Sequence, residues 1–226
     1  MALKAIVFDF DGVLANSEPL HLRAYQAVLG PEGITLADAD YYARYLGYDD
    51  VGAFAAILND RGRTSTLAEI DRLVQRKAVQ FERLEHEISV LFPGAADAVR
   101  RASTAYPIAI ASGARGEEIH RVLAREALTS CFTAIVASED TPRSKPSPDP
   151  YLRVVELLAD AIGTVEPAEC VALEDSRWGL QSARAAGLRT VAVAQTYERS
   201  ALAEADLVIE TIDDMDLLAL ARLCSS

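Results

Sequence analysis

Two aspartates close an apolar segment near the amino terminus. The run Ala5–Phe8 predicts a buried strand, and Asp9 and Asp11 follow it directly. Aspartate is depleted in strands and is rarely buried without a partner, so two carboxylates at this position indicate a chemical role. A turn at Gly12 would explain this pair alone, but it would not explain the polar clusters that follow later strands.

Three more polar clusters occur where later predicted strands end or in the loop between two of them. Functional groups collect at the carboxyl ends of the strands in an open parallel sheet, so we expect all four clusters to lie at one edge. The three clusters are Ser112-Gly113 after strand 107–111, Lys145 in the proline-rich loop 144–148, and Glu174-Asp175 after strand 170–173.

These residue types fit one kind of reaction, the transfer of a phosphoryl group. A carboxylate can attack phosphorus to give an aspartyl-phosphate, and a second carboxyl group can act first as an acid and then as a base. Carboxylates from two strands suit a hard cation such as Mg²⁺, which neutralises charge on the group in transfer. A lysine adds positive charge, and a serine hydroxyl with backbone N–H groups can hold phosphate oxygens.

The elements that must position these groups alternate between strand and helix from about residue 105 onwards. Short β-branched runs predict the strands, and apolar residues three or four positions apart predict the helices. This alternation is typical of a parallel sheet with helices on both faces, so we expect an α/β fold. The predicted strands are 107–111, 134–137, 170–173, 189–194 and 207–209, with helices from about 116, from 149–150 and over 180–186.

The stretch 16–87 breaks this alternation, because it is helical in pattern and contains no convincing strand. It is either a set of extra helices packed on the sheet or a separate domain inserted after the first strand. We favour the insertion, because the stretch is long for a single crossover. We therefore expect a core domain of residues 1–15 and 88–226 and an inserted helical domain of residues 16–87. Its apolar stripes are Leu20, Ala24, Ala27 and Val28 in one helix and Leu67, Ile70, Leu73, Val74, Ala78 and Phe81 in another.

Composition limits the partners of this chain. Its 226 residues carry 22 Lys and Arg against 34 Asp and Glu, a net charge of −12. Without a basic run, this balance argues against nucleic acid and against an anionic membrane. The three cysteines lie far apart, without the spacing of a metal site, and neither a signal peptide nor a transmembrane run is evident. We expect a cytoplasmic monomer.

The four clusters together resemble the four motifs of the haloacid dehalogenase-like superfamily, in the order of that family. The helical stretch is similar to the small α-helical cap of the β-phosphoglucomutase-like branch, with likeness at Ser17-Glu18, His21 and Arg76-Lys77. The resemblance implies a Rossmann-like, doubly wound parallel sheet as the core, with an inserted cap. The motifs are Phe8-Asp9-Phe10-Asp11-Gly12-Val13-Leu14, Ala111-Ser112-Gly113, Lys145-Pro146 and Glu174-Asp175-Ser176.

The resemblance also implies a role for each residue. Asp9 would be the nucleophile and Asp11 the acid and base, and both would contribute to the Mg²⁺ site, Asp11 through its main-chain carbonyl. Dehalogenases of the superfamily lack a carboxylate at the position of Asp11, so its presence favours phosphoryl transfer over dehalogenation.

The remaining motif residues would bind the phosphoryl group and the metal. Ser112 would hold the transferring group, and Lys145 would pair with that group and with Asp9. Asp175 would ligate Mg²⁺, and Glu174 would help directly or through water.

Five residues are candidates for contact with the substrate, and four of them have a simpler alternative. Ser112-Gly113 alone would be a helix cap, His21 could face the surface, and Lys77 could be a solvated lysine in a charged helix. Arg115 could bind a second anionic group or interact with Glu118. The candidates are Ser17, His21, Lys77, Gly113 and Arg115.

Three functions remain open, of which we favour a Mg²⁺-dependent phosphatase acting on a small phosphorylated metabolite such as a sugar phosphate. The second is a β-phosphoglucomutase-type phosphomutase. Those mutases carry Lys-Gly-x-x-Arg in the cap, whereas this chain has Leu46-Gly47-Tyr48-Asp49-Asp50, and its acidic pair should repel a second phosphate. The third is a non-catalytic binding protein on the same fold.

Overall fold

The computed structural model describes residues 2–46, 48, 50–87 and 89–225. The chain forms two compact units, here named the sheet unit (residues 1–16 and 91–226) and the helical unit (residues 17–90). None of the described helices is both long and apolar enough to cross a membrane.

Six parallel strands form the sheet in the order β3-β2-β1-β4-β5-β6. β1 is central, and the strand order reverses between β1 and β4, where open α/β sheets bind their ligands. The predicted α/β fold with a doubly wound parallel sheet is therefore confirmed. The strands are β1 (Ala5–Phe8), β2 (Ile108–Ala111), β3 (Phe132–Val136), β4 (Cys170–Glu174), β5 (Arg189–Val193) and β6 (Leu207–Ile209).

The register of the strands brings their carboxyl ends level with one another. Phe8 pairs with Ile110 of β2 on one side and with Leu173 of β4 on the other. The N–H of Asp9 continues the ladder by donating to the Leu173 carbonyl at 2.9 Å. Asp9 and Glu174 therefore leave neighbouring strands at the same level.

Helices cover the sheet because their apolar faces need burial. Residues Tyr151, Val154 and Leu158 of one helix lie in the same buried cluster as Val7 and Ala109 of the sheet. This packing holds the helix against the strands, and the first turn of that helix carries Tyr151. The sheet unit contains α5 (Ala95–Ala105), α6 (Gly116–Arg125), α7 (Asp149–Ile162), α8 (Arg177–Ala185) and α9 (Leu217–Leu223).

Among its described residues the helical unit holds four α-helices, a 3₁₀ turn (Gly30–Glu32) and a π-helical turn, and none of these residues belongs to a strand. Its own buried cluster includes Tyr25, Phe54, Ile57 and Leu73. The elements are α1 (Glu18–Leu29), α2 (Asp38–Asp40), the π-helix Tyr41–Tyr45, α3 (Asp50–Asp60) and α4 (Leu67–Glu87).

The predicted apolar stripe of α4 is partly wrong. Leu67 is 83% exposed and Ala78 is also exposed, whereas Lys77 is buried between Leu73 and Phe81. The spacing of four residues places Lys77 on the same helix face as those two side chains. In α1 the predicted stripe residue Ala27 is likewise exposed.

Candidate active site

A tight turn after β1 carries the two aspartates. The N–H groups of Leu14 and Ala15 donate to the Phe10 carbonyl at 2.9 and 2.8 Å, and the Gly12 N–H donates to the Ala15 carbonyl at 2.8 Å. Gly12 has a φ of 79°, and a Cβ there would lie 1.9 Å from Oδ2 of Asp175. Glycine fits this position without strain or overlap, because the turn needs a positive φ and the Asp175 carboxylate packs on its Cα.

Lys145 joins two of the predicted clusters. Its Nζ lies 2.9 Å from Oδ1 of Asp9 and 2.6 Å from Oε1 of Glu174. Burial alone would lower the pKa of Lys145, but the charges of Asp9 and Glu174 outweigh it and raise the pKa above its ordinary value. Lys145 therefore stays positively charged beside both carboxylates.

Three buried carboxylates form an acidic cluster at the ends of β1 and β4. Asp9, Glu174 and Asp175 each present an oxygen, and these oxygens lie within 4.8 Å of one another. Burial and the charge of Asp9 raise the pKa of Glu174 to about 8 and that of Asp175 to about 7. Burial and the like charge of Asp9 therefore both oppose full ionisation of the cluster, even with the ammonium of Lys145 nearby.

This donor set fits a hard divalent cation. The cluster is built from oxygen ligands, which Mg²⁺ and Ca²⁺ prefer, and its fully ionised form carries two more negative charges than Lys145 neutralises. A divalent cation would supply that charge and allow Glu174 and Asp175 to ionise.

Ser112 lies at the end of β2, the strand beside β1. It is buried, its N–H donates to the Val136 carbonyl at 2.9 Å, and its Oγ accepts from the Ala114 N–H at 3.0 Å. The other two candidates in this loop, Gly113 and Arg115, are exposed. Arg115 comes directly before α6.

The three remaining candidates lie in the helical unit. Ser17 is buried at the start of α1, where its carbonyl accepts from the N–H of His21 at 3.0 Å. Lys77 is only 2% exposed, with its Nζ 2.7 Å from Nδ1 of His21 and 2.6 Å from Oδ1 of Asp50. The same Asp50 oxygen accepts the hydroxyl of Tyr25 at 2.7 Å. The charge of Lys77 is thus neutralised inside the helical unit.

Burial and the nearby Lys77 charge lower the pKa of His21 to about 4, against the opposing effect of Asp50. His21 is therefore neutral near neutral pH, which lets its Nδ1 accept a hydrogen bond from Lys77.

Sequence reasoning missed three residues that contact the aspartate turn or the acidic cluster. Nε2 of Gln195 donates to the carbonyls of Gly12 and Val13 at 3.1 and 3.2 Å, and the hydroxyl of Thr196 bonds to Asp175. Both follow β5, so the rule applied to the other strand ends would have found them. The third is Tyr151, a buried tyrosine on α7.

Comparison with known proteins relates the chain to enzymes of phosphate chemistry. It is 30% identical over 195 residues to the fructose-1-phosphate phosphatase YqaB of Escherichia coli (strain K12), covering 83% of this chain and 95% of that protein. It is 29% identical over 220 residues to the β-phosphoglucomutase of Bacillus subtilis (strain 168), covering 95% of this chain and 92% of that one.

The fold is shared with a solved structure. That of CbbY from Rhodobacter sphaeroides in complex with phosphate matches with a TM-score of 0.77 at 27% identity, covering 96% of this chain and 99% of that one. Residues 3–187 match the family model of haloacid dehalogenase-like hydrolases, and this range contains all four polar clusters. The chain therefore belongs to the haloacid dehalogenase-like hydrolase family.

Proposed function

We propose that this hydrolase is a Mg²⁺-dependent phosphatase of small phosphorylated metabolites, with sugar monophosphates as the favoured class, and that it acts through an aspartyl-phosphate. The observation that carries the proposal is Lys145, which bridges Asp9 and Glu174 within a buried cluster of three carboxylates. A non-catalytic binding protein would not need this costly group of buried charges.

Asp9 is the proposed nucleophile. Its Oδ1 accepts from the Phe10 N–H at 2.7 Å and from Lys145 at 2.9 Å, which leaves Oδ2 to attack phosphorus. Attack forms the bond between Oδ2 and phosphorus and breaks the ester bond, while Asp11 gives a proton to the departing alcohol. Water then attacks the phosphorus, Asp11 takes its proton, and phosphate leaves Asp9.

Ser112 and Lys145 hold the phosphoryl oxygens in this proposal. The Ser112 hydroxyl accepts from the Ala114 N–H at 3.0 Å, which leaves its own proton to donate to phosphate. Lys145 remains charged and so stabilises negative charge on the transferring group.

The oxygens of Asp9, Glu174 and Asp175 and the main-chain carbonyl of Asp11 would hold the Mg²⁺ ion. The cation would neutralise charge on the phosphoryl group as it transfers.

We propose that the helical unit is the cap that selects the substrate. The chain leaves the sheet unit after Asn16, directly beyond the turn that carries Asp11, and returns at Leu91. Leu91 pairs with Ala15, and the Phe92 N–H donates to the Leu14 carbonyl at 2.9 Å, so both connections lie beside that turn. Ser17, His21, Lys77, Gly113 and Arg115 stay predictions as substrate contacts.

The similarity to a β-phosphoglucomutase favours a phosphomutase as the second candidate. The ion pair of Lys77 with Asp50 at 2.6 Å speaks against it, because it leaves Lys77 little net charge for a second phosphate. Gly47 and Asp49 of the segment that differs from the mutase pattern lie outside the described residues.

A screen for phosphate release tests the proposal, using sugar phosphates, nucleotides and small phospho-acids with Mg²⁺. We expect release from one or more sugar monophosphates, and none from the Asp9→Asn variant. Incubation with β-glucose 1-phosphate and a bisphosphate primer separates the two candidates, since a phosphatase yields free phosphate and a mutase yields glucose 6-phosphate. Glucose 6-phosphate as the main product would overturn the proposal.

A further inference from the structure

Tyr151 is a buried tyrosine whose hydroxyl touches the acidic cluster. It lies in the first turn of α7, is 0% exposed, and donates its hydroxyl to Oε1 of Glu174 at 2.6 Å. A tyrosine hydroxyl keeps its proton at neutral pH. The Tyr151 hydroxyl therefore donates a hydrogen bond to the buried Glu174 carboxylate.

The same carboxylate oxygen also accepts a hydrogen bond from Lys145. Nζ of Lys145 lies 2.6 Å from Oε1 of Glu174 and 5.3 Å from the centre of the Tyr151 ring. Tyr151 thus contacts both partners, the carboxylate through its hydroxyl and the ammonium through its ring.

The backbone of α8 confines Glu174 from another side. A Cβ added at Gly179 would lie 1.8 Å from Oε2 and 2.2 Å from Oε1 of Glu174, which is itself 0% exposed. The carboxylate therefore lies between the α8 backbone and the two donors on Oε1, and it has little room to turn.

Removing the Tyr151 hydroxyl would leave Lys145 as the donor to Oε1. Lys145 also forms an ion pair with Oδ1 of Asp9 at 2.9 Å, so a shift of its ammonium towards Glu174 would weaken the ion pair with the nucleophile. Because the Tyr151 hydroxyl also donates to Oε1 of Glu174, Lys145 can stay bonded to both Glu174 and Asp9.

We propose that Tyr151 is a positioning residue of the hydrolytic site, which acts through Glu174 and Lys145 and holds the Glu174 carboxylate in place for a divalent cation. This inference rests on the proposed function. It assigns a task to a residue that does not touch the substrate.

The test uses Tyr151→Phe in the full chain, because phenylalanine keeps the ring and removes only the hydroxyl. Mg²⁺ alone is titrated by calorimetry, and the fluorescence of Trp178, the one tryptophan, gives a second readout three residues beyond Asp175. We expect Mg²⁺ binding to weaken roughly 10-fold or more, as is usual when a partner of a metal ligand is lost. Turnover at saturating Mg²⁺ should fall while KM for the monophosphate stays within about 3-fold.

Tyr106→Phe is the matched control, since it removes a tyrosine hydroxyl just before β2, at the opposite end of the strands from the cluster. It should bind Mg²⁺ and turn over as the wild type does. Equal Mg²⁺ binding and equal turnover in Tyr151→Phe and Tyr106→Phe would overturn the inference.

A double variant tells positioning from a general loss of packing. If Tyr151 acts through Glu174, then Tyr151→Phe combined with Glu174→Gln should bind Mg²⁺ no more weakly than Glu174→Gln alone. Losses that multiply would overturn the inference. A wild type that binds Mg²⁺ but hydrolyses no monophosphate would refute the proposed function instead, and the Mg²⁺ titrations would still decide the role of Tyr151.

Discussion

At the scale of single residues, the two aspartates of the first turn differ in their surroundings. Asp9 is buried and bonded through one oxygen to Lys145 and to the Phe10 N–H. Asp11 is less buried and lies two residues further along the turn. This difference suits a fixed nucleophile and a second carboxyl group that exchanges protons with the alcohol and with water.

Asp11→Ala should slow the reaction of alkyl phosphates about 10²- to 10⁴-fold, the usual contribution of a general acid or base. Acetyl phosphate has a leaving group that needs no proton, so it should still phosphorylate the variant readily. Breakdown of the phosphoenzyme should be slow with either donor, because the variant lacks the carboxylate that takes the proton of the attacking water. Stopped-flow and quench measurements of both steps check this, and an equal loss with both donors in the first step would contradict it.

At the scale of elements, the turn after β1 depends on Gly12. Gly12→Ala should weaken Mg²⁺ activation roughly 10-fold or more, because the new Cβ would overlap Oδ2 of Asp175 at 1.9 Å. The backbone strain of a positive φ should add a cost of about 1 kcal/mol in unfolding free energy.

Gly33→Ala is the matched control for this turn. Gly33 has a φ of 75°, close to the 79° of Gly12, but nothing lies within 4 Å of its added Cβ. It should lose a similar amount of stability in urea unfolding while its Mg²⁺ dependence stays that of the wild type. Equal Mg²⁺ activation in the two variants would show that the packing of Gly12 on Asp175 is unimportant.

The packing of α1 against α4 makes stability depend on pH through His21. Its pKa is lowered from 6.5 to about 4 in the folded chain, so the unfolded chain takes up the proton first as the pH falls. Stability is therefore lost from about pH 6.5 downwards towards pH 4, and by pH 5 the loss from this group is about 2 kcal/mol.

The check is urea unfolding of wild type and His21→Asn at pH 7.5 and pH 5, followed by circular dichroism. The variant should lose about 2 kcal/mol less than the wild type between these pH values. His120→Asn, at an exposed position of α6, is the control and should behave as the wild type. An unchanged pH dependence in His21→Asn would contradict the prediction.

The sequence predicted the sheet and its strands well, because apolar runs and polar strand ends are local features. The strands 5–8 and 207–209 match their predicted bounds, and the other four differ by one or two residues at one or both ends, since pairing with neighbours decides the last residues. The burial of Lys77 was not predicted, because a search for apolar periodicity treats every lysine as polar. Its ion pair with Asp50 joins residues 27 positions apart, which a local pattern does not reveal. The contact of Tyr151 with Glu174, 23 residues away, is equally invisible in a local pattern.

At the scale of the whole molecule, a chain with a net charge of −12 has to bind an anionic substrate. Lys145 supplies local positive charge, and a divalent cation at the acidic cluster would supply more.

Removing Mg²⁺ with a chelator should therefore abolish phosphate release, and added Mg²⁺ should restore it. Phosphate release that continues in chelator would exclude the proposed role of the metal.

The most direct test of the proposed mechanism is whether Asp9 becomes phosphorylated. The Asp11→Ala variant is mixed with ³²P-labelled acetyl phosphate and Mg²⁺, quenched in acid and digested for peptide mapping. We expect a stoichiometric, base-labile label on Asp9, which is absent when Asp9→Asn is added to the variant. A chain that carries no label, or that carries it on another residue, would contradict the proposed role of Asp9 as nucleophile.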